Sequence, residues 1–290
     1  MKILVLGTKG QLGRCLKDQL DNTDHKVIYS SREHIDIAEF EIAKKKILDF
    51  LPDIIINATA YTAVDKAEDE QEKADLINHL AVRNIANIAN QICCWLIHIS
   101  TDYVFDGNSS IPYKELDNTN PKGVYGKTKL KGELAIQASN CRHIIIRTSW
   151  LYSEYGNNFL KTMLRLGKER DELSIVEDQI GCPTYAQDIA SCIIKIIPKL
   201  NSNLHNGLYH YCGDQPCSWY EFAKFIFEEA KNHGKKIPRS LHAIKSSEYL
   251  AAVERPKYSV LECKKIYENF GVTPSNWKNS ISNIFKIAKL

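Results

Sequence analysis

Five runs rich in Ile and Val constrain this chain more than any other feature: "KILVLG" (2–7), "HKVIYS" (25–30), "DIIINATA" (53–60), "WLIHISTDYVF" (95–105) and "HIIIRTSWLY" (143–152). Apolar residues follow one another in these runs instead of alternating with polar ones. Continuous runs of this kind suit strands buried on both faces of a parallel sheet. Helical patterns separate them, the longest from Glu70 to Gln91, where Leu76, Leu80, Ile85 and Ile88 mark an apolar stripe. Repeated β-α units predict an α/β protein with a doubly wound parallel sheet.

From about Leu173 the pattern loosens. "LSIVEDQIGCPTY" and "NGLYHYCG" read as short strands or loops. "SWYEFAKFIFEEAKNHG" reads as an amphipathic helix opened by a Ser218/Glu221 capping box and ended at Gly234. The expected division is residues 1–172 for a nucleotide-binding domain carrying the catalytic residues. Residues 173–290 would form a smaller lobe at the carboxyl edge of the sheet, with one or two segments returning to it.

Composition excludes several classes of function. The chain is 290 residues long, with 38 basic and 35 acidic side chains in mixed order and a net charge of +3. That predicts neither a nucleic-acid surface nor an anionic-membrane surface. No signal-peptide pattern precedes the first run, and no apolar stretch approaches membrane-spanning length, so a soluble cytoplasmic protein is expected. The nine cysteines contain no CxxC and the nine histidines no HExxH, which fits reduced thiols and no metal.

Straight after the first run, "LGTKGQLG" sets Gly7, Gly10 and Gly13 in the pattern GxxGxxG at the head of a helix. Glycine lets the backbone approach a pyrophosphate, and a helix N-terminus offers it free N–H groups. A triplet alone also suits a tight turn, but the strand before it and the helix after it favour a nucleotide cradle. The second run ends in "YSSREHID", without the acidic residue that would bind an NAD ribose. Ser31 and Arg32 there can meet a 2′-phosphate, and Asp36 the adenosine end. NADPH is the expected cofactor, with NADH possible.

The fourth run ends in Ser100, Thr101 and Asp102, and Tyr125 and Lys129 follow four residues apart on a helix. Residues so spaced share a helix face. The Thr101 hydroxyl can bond a substrate carbonyl while Tyr125 delivers a proton to its oxygen. A Lys129 ammonium nearby would stabilise the phenolate and could bind the nicotinamide ribose.

These motifs together resemble the extended short-chain dehydrogenase/reductase superfamily. In "NATAYTAVDKAE", "STDYVFDG", "YGKTKLKGE", "RTSWLYS", "DQIGCPTY" and "ERPKYSVL", the chain is similar to its dTDP-4-dehydrorhamnose reductase family. The resemblance implies a Rossmann-like fold. It also implies reduction of the 4-keto group of a dTDP-6-deoxy-L-hexose to dTDP-L-rhamnose for surface polysaccharide. By the same resemblance Gly10, Gln11 and Leu12 line the cofactor pyrophosphate, and Ala60, Tyr61 and Thr62 lie along the cofactor. Thr101, Asp102, Tyr103 and Trp150 meet the sugar nucleotide, and Arg255 clamps its diphosphate.

Two departures matter. Cys15 and Gln187 stand where some relatives carry acidic residues of a metal-bridged dimer contact, so a monomer or weak homodimer without metal is expected. Tyr61 replaces a commoner histidine. A dehydratase is disfavoured because Tyr103, not glutamate, follows Asp102. A reductase of another nucleotide 4-keto-6-deoxy sugar and a nucleotide-binding regulatory subunit of the same fold remain as alternatives.

Overall fold

The computed structural model describes residues 1–200, 205–249 and 253–287, so residues 201–204, 250–252 and 288–290 of the expected second lobe lie outside the described residues. The Ile/Val runs give β1 (Lys2–Leu6), β2 (Lys26–Ser30), β3 (Ile54–Asn57), β4 (Trp95–Thr101) and β5 (Arg142–Thr148). Later strands are β6 (Leu151–Tyr152), β7 (Glu172–Val176), β8 (Ile180–Gly181), β9 (Thr184–Tyr185), β10 (Gly207–His210), β11 (Cys217–Ser218) and β12 (Ser240–Ile244). The helices are α1 (Gln11–Leu20), α2 (Phe40–Phe50), α3 (Val64–Ala67), α4 (Gln71–Asp75), α5 (Ala81–Gln91) and α6 (Val124–Ala138). They continue as α7 (Phe159–Glu169), α8 (Ala186–Ile196), α9 (Trp219–Asn232), α10 (Lys264–Phe270) and α11 (Trp277–Ile287).

Six strands form one parallel sheet in the order β2-β1-β3-β4-β5-β10. Successive strand residues point to opposite faces, and both faces are buried, which is why the runs are continuous. Ile3, Val5, Ile54, Ile56, Ile97, Ile144 and Ile146 enter a core closed by α1, α8 and α10. Their alternates Leu4, Leu6, Ile55, Leu96 and Ile145 enter a second core closed by α2, α5 and one face of α6.

Four of the five expected runs stop early or split, each for a local reason, while β2 runs to Ser30 as expected. β1 ends where Gly7 takes φ +85°, a conformation glycine adopts without strain. β3 ends where the Asn57 side chain captures the Thr59 amide. β4 gives way to a 3-10 turn over Asp102–Val104 because Thr101 Oγ1 accepts from Tyr103 N. The last run is split into β5 and β6 by Trp150, whose φ of +47° is costly for a bulky residue.

A third core gathers Tyr152, Leu160 and Met163 with Phe222, Ile226, Trp277 and Ile281, so chain from both sides of residue 173 builds it. Conversely, α8, β10 and α10 pack with the large sheet. The capping box of α9 forms in both directions, Ser218 Oγ accepting from Glu221 N and Glu221 Oε2 from Ser218 N. Among the described residues no helix is long and apolar enough to cross a membrane.

Candidate active site

The sheet order reverses between β1 and β3, and ligands of open α/β sheets bind outside the carboxyl ends of strands at such a point. The glycine motif sits there. Gly7 N donates to Ser30 O at 3.0 Å, tying the first loop to β2. A Cβ on Gly7 would stand 2.8 Å from Ala58 O, and one on Gly13 2.3 Å from Gly7 O. At Gly10, the N-cap of α1, a Cβ would meet only Gly7 O, at 3.3 Å, so a side chain there would fill open space. No side chain caps α1, and its first turn holds no acidic residue. These N–H groups fit a pyrophosphate. The Gln11 side chain is committed elsewhere: its Oε1 accepts from Ser153 Oγ and Asn158 Nδ2, at 3.0 and 2.8 Å. What Gln11 and Leu12 offer the cradle is backbone.

At the end of β2 the Ser31 hydroxyl is buried against His34 Nδ1. Arg32 is exposed and pairs with Asp36, Nε to Oδ2, at 2.8 Å. Burial works against the Asp36 carboxylate, yet this pairing and the Ala38 amide hold it below the ordinary range. Arg32 and Asp36 are thus one unit, just beyond the end of β2 at the edge of the sheet.

Beyond β3, the backbone of Tyr61 is clasped in both directions by Asn78, Nδ2 to Tyr61 O at 3.1 Å and Tyr61 N to Oδ1 at 2.9 Å. Asn78 lies in a π-helical turn, Leu76–Leu80, that interrupts the helix expected over 70–91. The same amide donates to Thr128 Oγ1, which donates to Tyr125 O. A residue that sequence reading passed over therefore ties the Ala60–Thr62 loop to the helix carrying Tyr125.

Thr101, Asp102, Tyr103 and Tyr125 do come together. The Tyr103 and Tyr125 rings meet edge to face, with centroids 5.6 Å apart. Burial pushes the Tyr125 phenol up to about 12, against the pull of a hydrogen bond with Thr101. Asp102 is fully buried. Desolvation raises its carboxyl to about 6, opposed by the Ser259 and Thr101 hydroxyls, and its Oδ2 has no hydrogen-bond partner. Lys129 is also buried, but its ammonium position differs from the expectation. Nζ bonds Ile99 O at 2.6 Å and faces His98 Nε2 at 3.2 Å, with no bond to the phenol. Desolvation lowers it to about 8, partly offset by Glu133. Glu133 in turn receives Arg147 and the Ser100 hydroxyl.

A cleft of ≈ 1010 Å³ is lined among others by Phe159, Met163, Trp219, Tyr249, Arg255 and Lys257; none of the cluster lines it, but its Arg255 acts electrostatically on Tyr103. Arg255 Nη2 pairs with Asp65 at 3.1 Å, while its Nε is buried without a partner. The Trp150 ring stacks flat on Trp219, centroids 3.4 Å apart, and presses on Gly181. Trp150 thus reaches the cleft through Trp219, which no sequence motif singled out. Among the described residues no group of three or more His, Cys, Asp or Glu side chains is placed to hold a metal ion.

A crevice with a glycine cradle at one end and a Thr–Tyr pair at the other is the working part of a dinucleotide-binding oxidoreductase. The chain belongs to the family described as RmlD substrate binding domain, whose model matches residues 1–289. It is 43% identical over 289 residues, 98% of each chain, to the dTDP-4-dehydrorhamnose reductase of Aggregatibacter actinomycetemcomitans. Its structure is similar to the crystal structure of a dTDP-4-dehydrorhamnose reductase from Clostridium acetobutylicum, with 38% identity, TM-score 0.93 and all of both chains covered. The Bacillus anthracis dTDP-4-dehydrorhamnose reductase, crystallised in complex with NADP, matches over 98% of each chain with 37% identity and TM-score 0.91.

Proposed function

We propose that this protein reduces the 4-keto group of dTDP-4-dehydro-6-deoxy-L-mannose to give dTDP-L-rhamnose for surface polysaccharide, using NADPH and, less well, NADH. It does so as a soluble cytoplasmic monomer or weak homodimer. The observation that carries the reading is the Tyr125 phenol, set next to Thr101 and edge to face with Tyr103 at the carboxyl end of β4, in the crevice whose other end is the glycine cradle. Full-length identity to the reductases named above supports the substrate class.

The residues divide the work as follows. The backbone of Gly7 to Gly13 and the end of α1 hold the cofactor pyrophosphate, with the Ala60–Thr62 loop along its length. Ser31 and Arg32 meet the 2′-phosphate once Arg32 exchanges Asp36 for it. The bound nicotinamide supplies hydride to the sugar carbon. The Thr101 hydroxyl fixes the carbonyl oxygen, and Tyr125 protonates that oxygen. A phenol raised to about 12 is fully protonated at neutral pH, the state a general acid needs. Asp102, Tyr103 and Trp150 bound the sugar. Trp219 and Phe159 offer aromatic faces to the base, and the unpartnered Arg255 Nε suits a diphosphate oxygen. In this reading residues 1–172 supply the cofactor and catalytic groups, and much of 173–290 shapes the substrate cleft.

The test is an anaerobic assay of purified protein with dTDP-4-dehydro-6-deoxy-L-mannose and NADPH or NADH, following reduced-nicotinamide absorbance and identifying the product sugar. Turnover to dTDP-L-rhamnose, faster with NADPH, is expected. Tyr125→Phe should lower kcat by roughly 10²–10⁴-fold while cofactor affinity is kept. An unchanged rate in that variant would remove the phenol from the reaction.

A further inference from the structure

Behind the Tyr125 phenol a line of polar groups leads to Lys129, and its members before that residue have no part in the reaction as described. It starts at Thr59, whose amide N–H and hydroxyl both donate to Asn57 Oδ1, at 3.1 and 2.5 Å. A backbone N–H can only donate, so the Asn57 oxygen faces Thr59 and its Nδ2 faces away. Nδ2 stands 3.2 Å from His98 Nδ1, which makes that ring nitrogen the acceptor. A neutral imidazole with Nδ1 accepting carries its proton on Nε2. Nε2 in turn stands 3.2 Å from Lys129 Nζ.

This meeting has a chemical consequence. An ammonium has three donors and no lone pair, so it cannot accept from Nε2–H. An amine can do both things the geometry asks, donating to Ile99 O at 2.6 Å and accepting from His98. Asn57 and His98 are wholly buried and Lys129 nearly so, so water cannot mediate the conflict cheaply.

We propose that His98, locked in its Nε2–H tautomer by Asn57, is a positioning residue that favours the neutral amine of Lys129 over its ammonium in the ligand-free enzyme and so sets the pH at which Lys129 takes its charge. The inference deepens the reductase reading and rests on it only for the kinetic consequence. Burial is the larger cause holding His98 well below its ordinary range, so the ring stays neutral whether or not Lys129 is charged. The other groups facing Lys129 are few. Glu133, one turn on along α6, favours the ammonium, but its carboxylate is already taken by Arg147 from β5 and by Ser100 from β4. Tyr125 lies one turn before it on α6, with Asp102 of the turn after β4 beyond the phenol.

The tautomer is measurable without substrate, by nitrogen-15 NMR of the histidine-labelled protein between pH 6 and 9. The His98 signals are assigned by their loss in His98→Gln, or, if that variant does not fold, by sequential connectivity to Ile97 and Ile99. A neutral ring with its proton on Nε2 across that range is expected. An Nδ1–H tautomer or an imidazolium would overturn the proposal whether or not the protein proves to be a reductase. In the assay above, His98→Gln places a carbonyl opposite Nζ. The alkaline limb of its kcat/KM profile should then move up by about one pH unit, a tenfold easier protonation. A limb that stays in place, or a loss uniform across pH, would show that His98 acts on packing alone.

Discussion

Asp102 carries a buried carboxyl raised from 3.8 to about 6. Between those values the folded protein binds a proton that the unfolded chain has released, so this group makes stability fall as pH rises from about 4 to about 6. Fully developed, at neutral pH, the displacement amounts to about 3 kcal/mol. Asp102→Asn should remove that slope and leave the variant more stable than the parent at pH 7, as urea melts at stepped pH would measure. A parallel pH dependence in both proteins would refute it. At this scale the sequence pointed to residues that the structure brings together, Thr101, Asp102, Tyr103 and Tyr125, and said little about their partners. Thr101 and Tyr125 are recognisable because their order and their residue types are demanded by proton delivery to a carbonyl. Lys129 shares a helix face with Tyr125, but its partners come from a strand 30 residues away. No spacing rule reports a register across two elements.

The helix over 70–91 reads as one amphipathic segment because its apolar positions recur with helical period. Its π-turn is invisible to that period: one extra residue in a turn shifts the stripe without breaking it. The turn nevertheless brings Asn78 O against α6, where a Cβ on Gly132 would lie 2.2 Å from it. Gly132→Ala gains helix propensity of about 1 kcal/mol but must push two backbones apart, which costs about 1–3 kcal/mol in a packed interior. A net loss of stability is expected in thermal melts. Because α6 carries Tyr125 and Lys129, kcat should fall more than KM rises. A variant with unchanged melting temperature and kinetics would show the contact to be slack. The early strand ends were likewise hidden, since two depend on one side chain capturing a nearby amide, as Asn57 and Thr101 do, and two on a positive φ, at Gly7 and Trp150.

For the whole molecule, the continuous Ile/Val runs were enough to anticipate a sheet covered on both faces, since only that arrangement buries every residue of such a strand. The third core was not readable in the same way. β7 pairs in parallel with β12, more than sixty residues later, and the helices around them come from separate stretches. Short strands whose pairing is settled by packing leave little period in the sequence. The same close packing governs the nine thiols. Eight are buried and Cys93 is exposed, in the turn just before β4. Thr101 ends that strand, seven residues of extended chain and thus about 20 Å away. The unaltered protein therefore carries a single addressable handle on the side opposite its crevice. A maleimide should add once under native conditions and nine times in denaturant by intact mass. A dye or surface tether fixed there should leave turnover untouched, so individual molecules could be followed through ligand binding without any engineered cysteine.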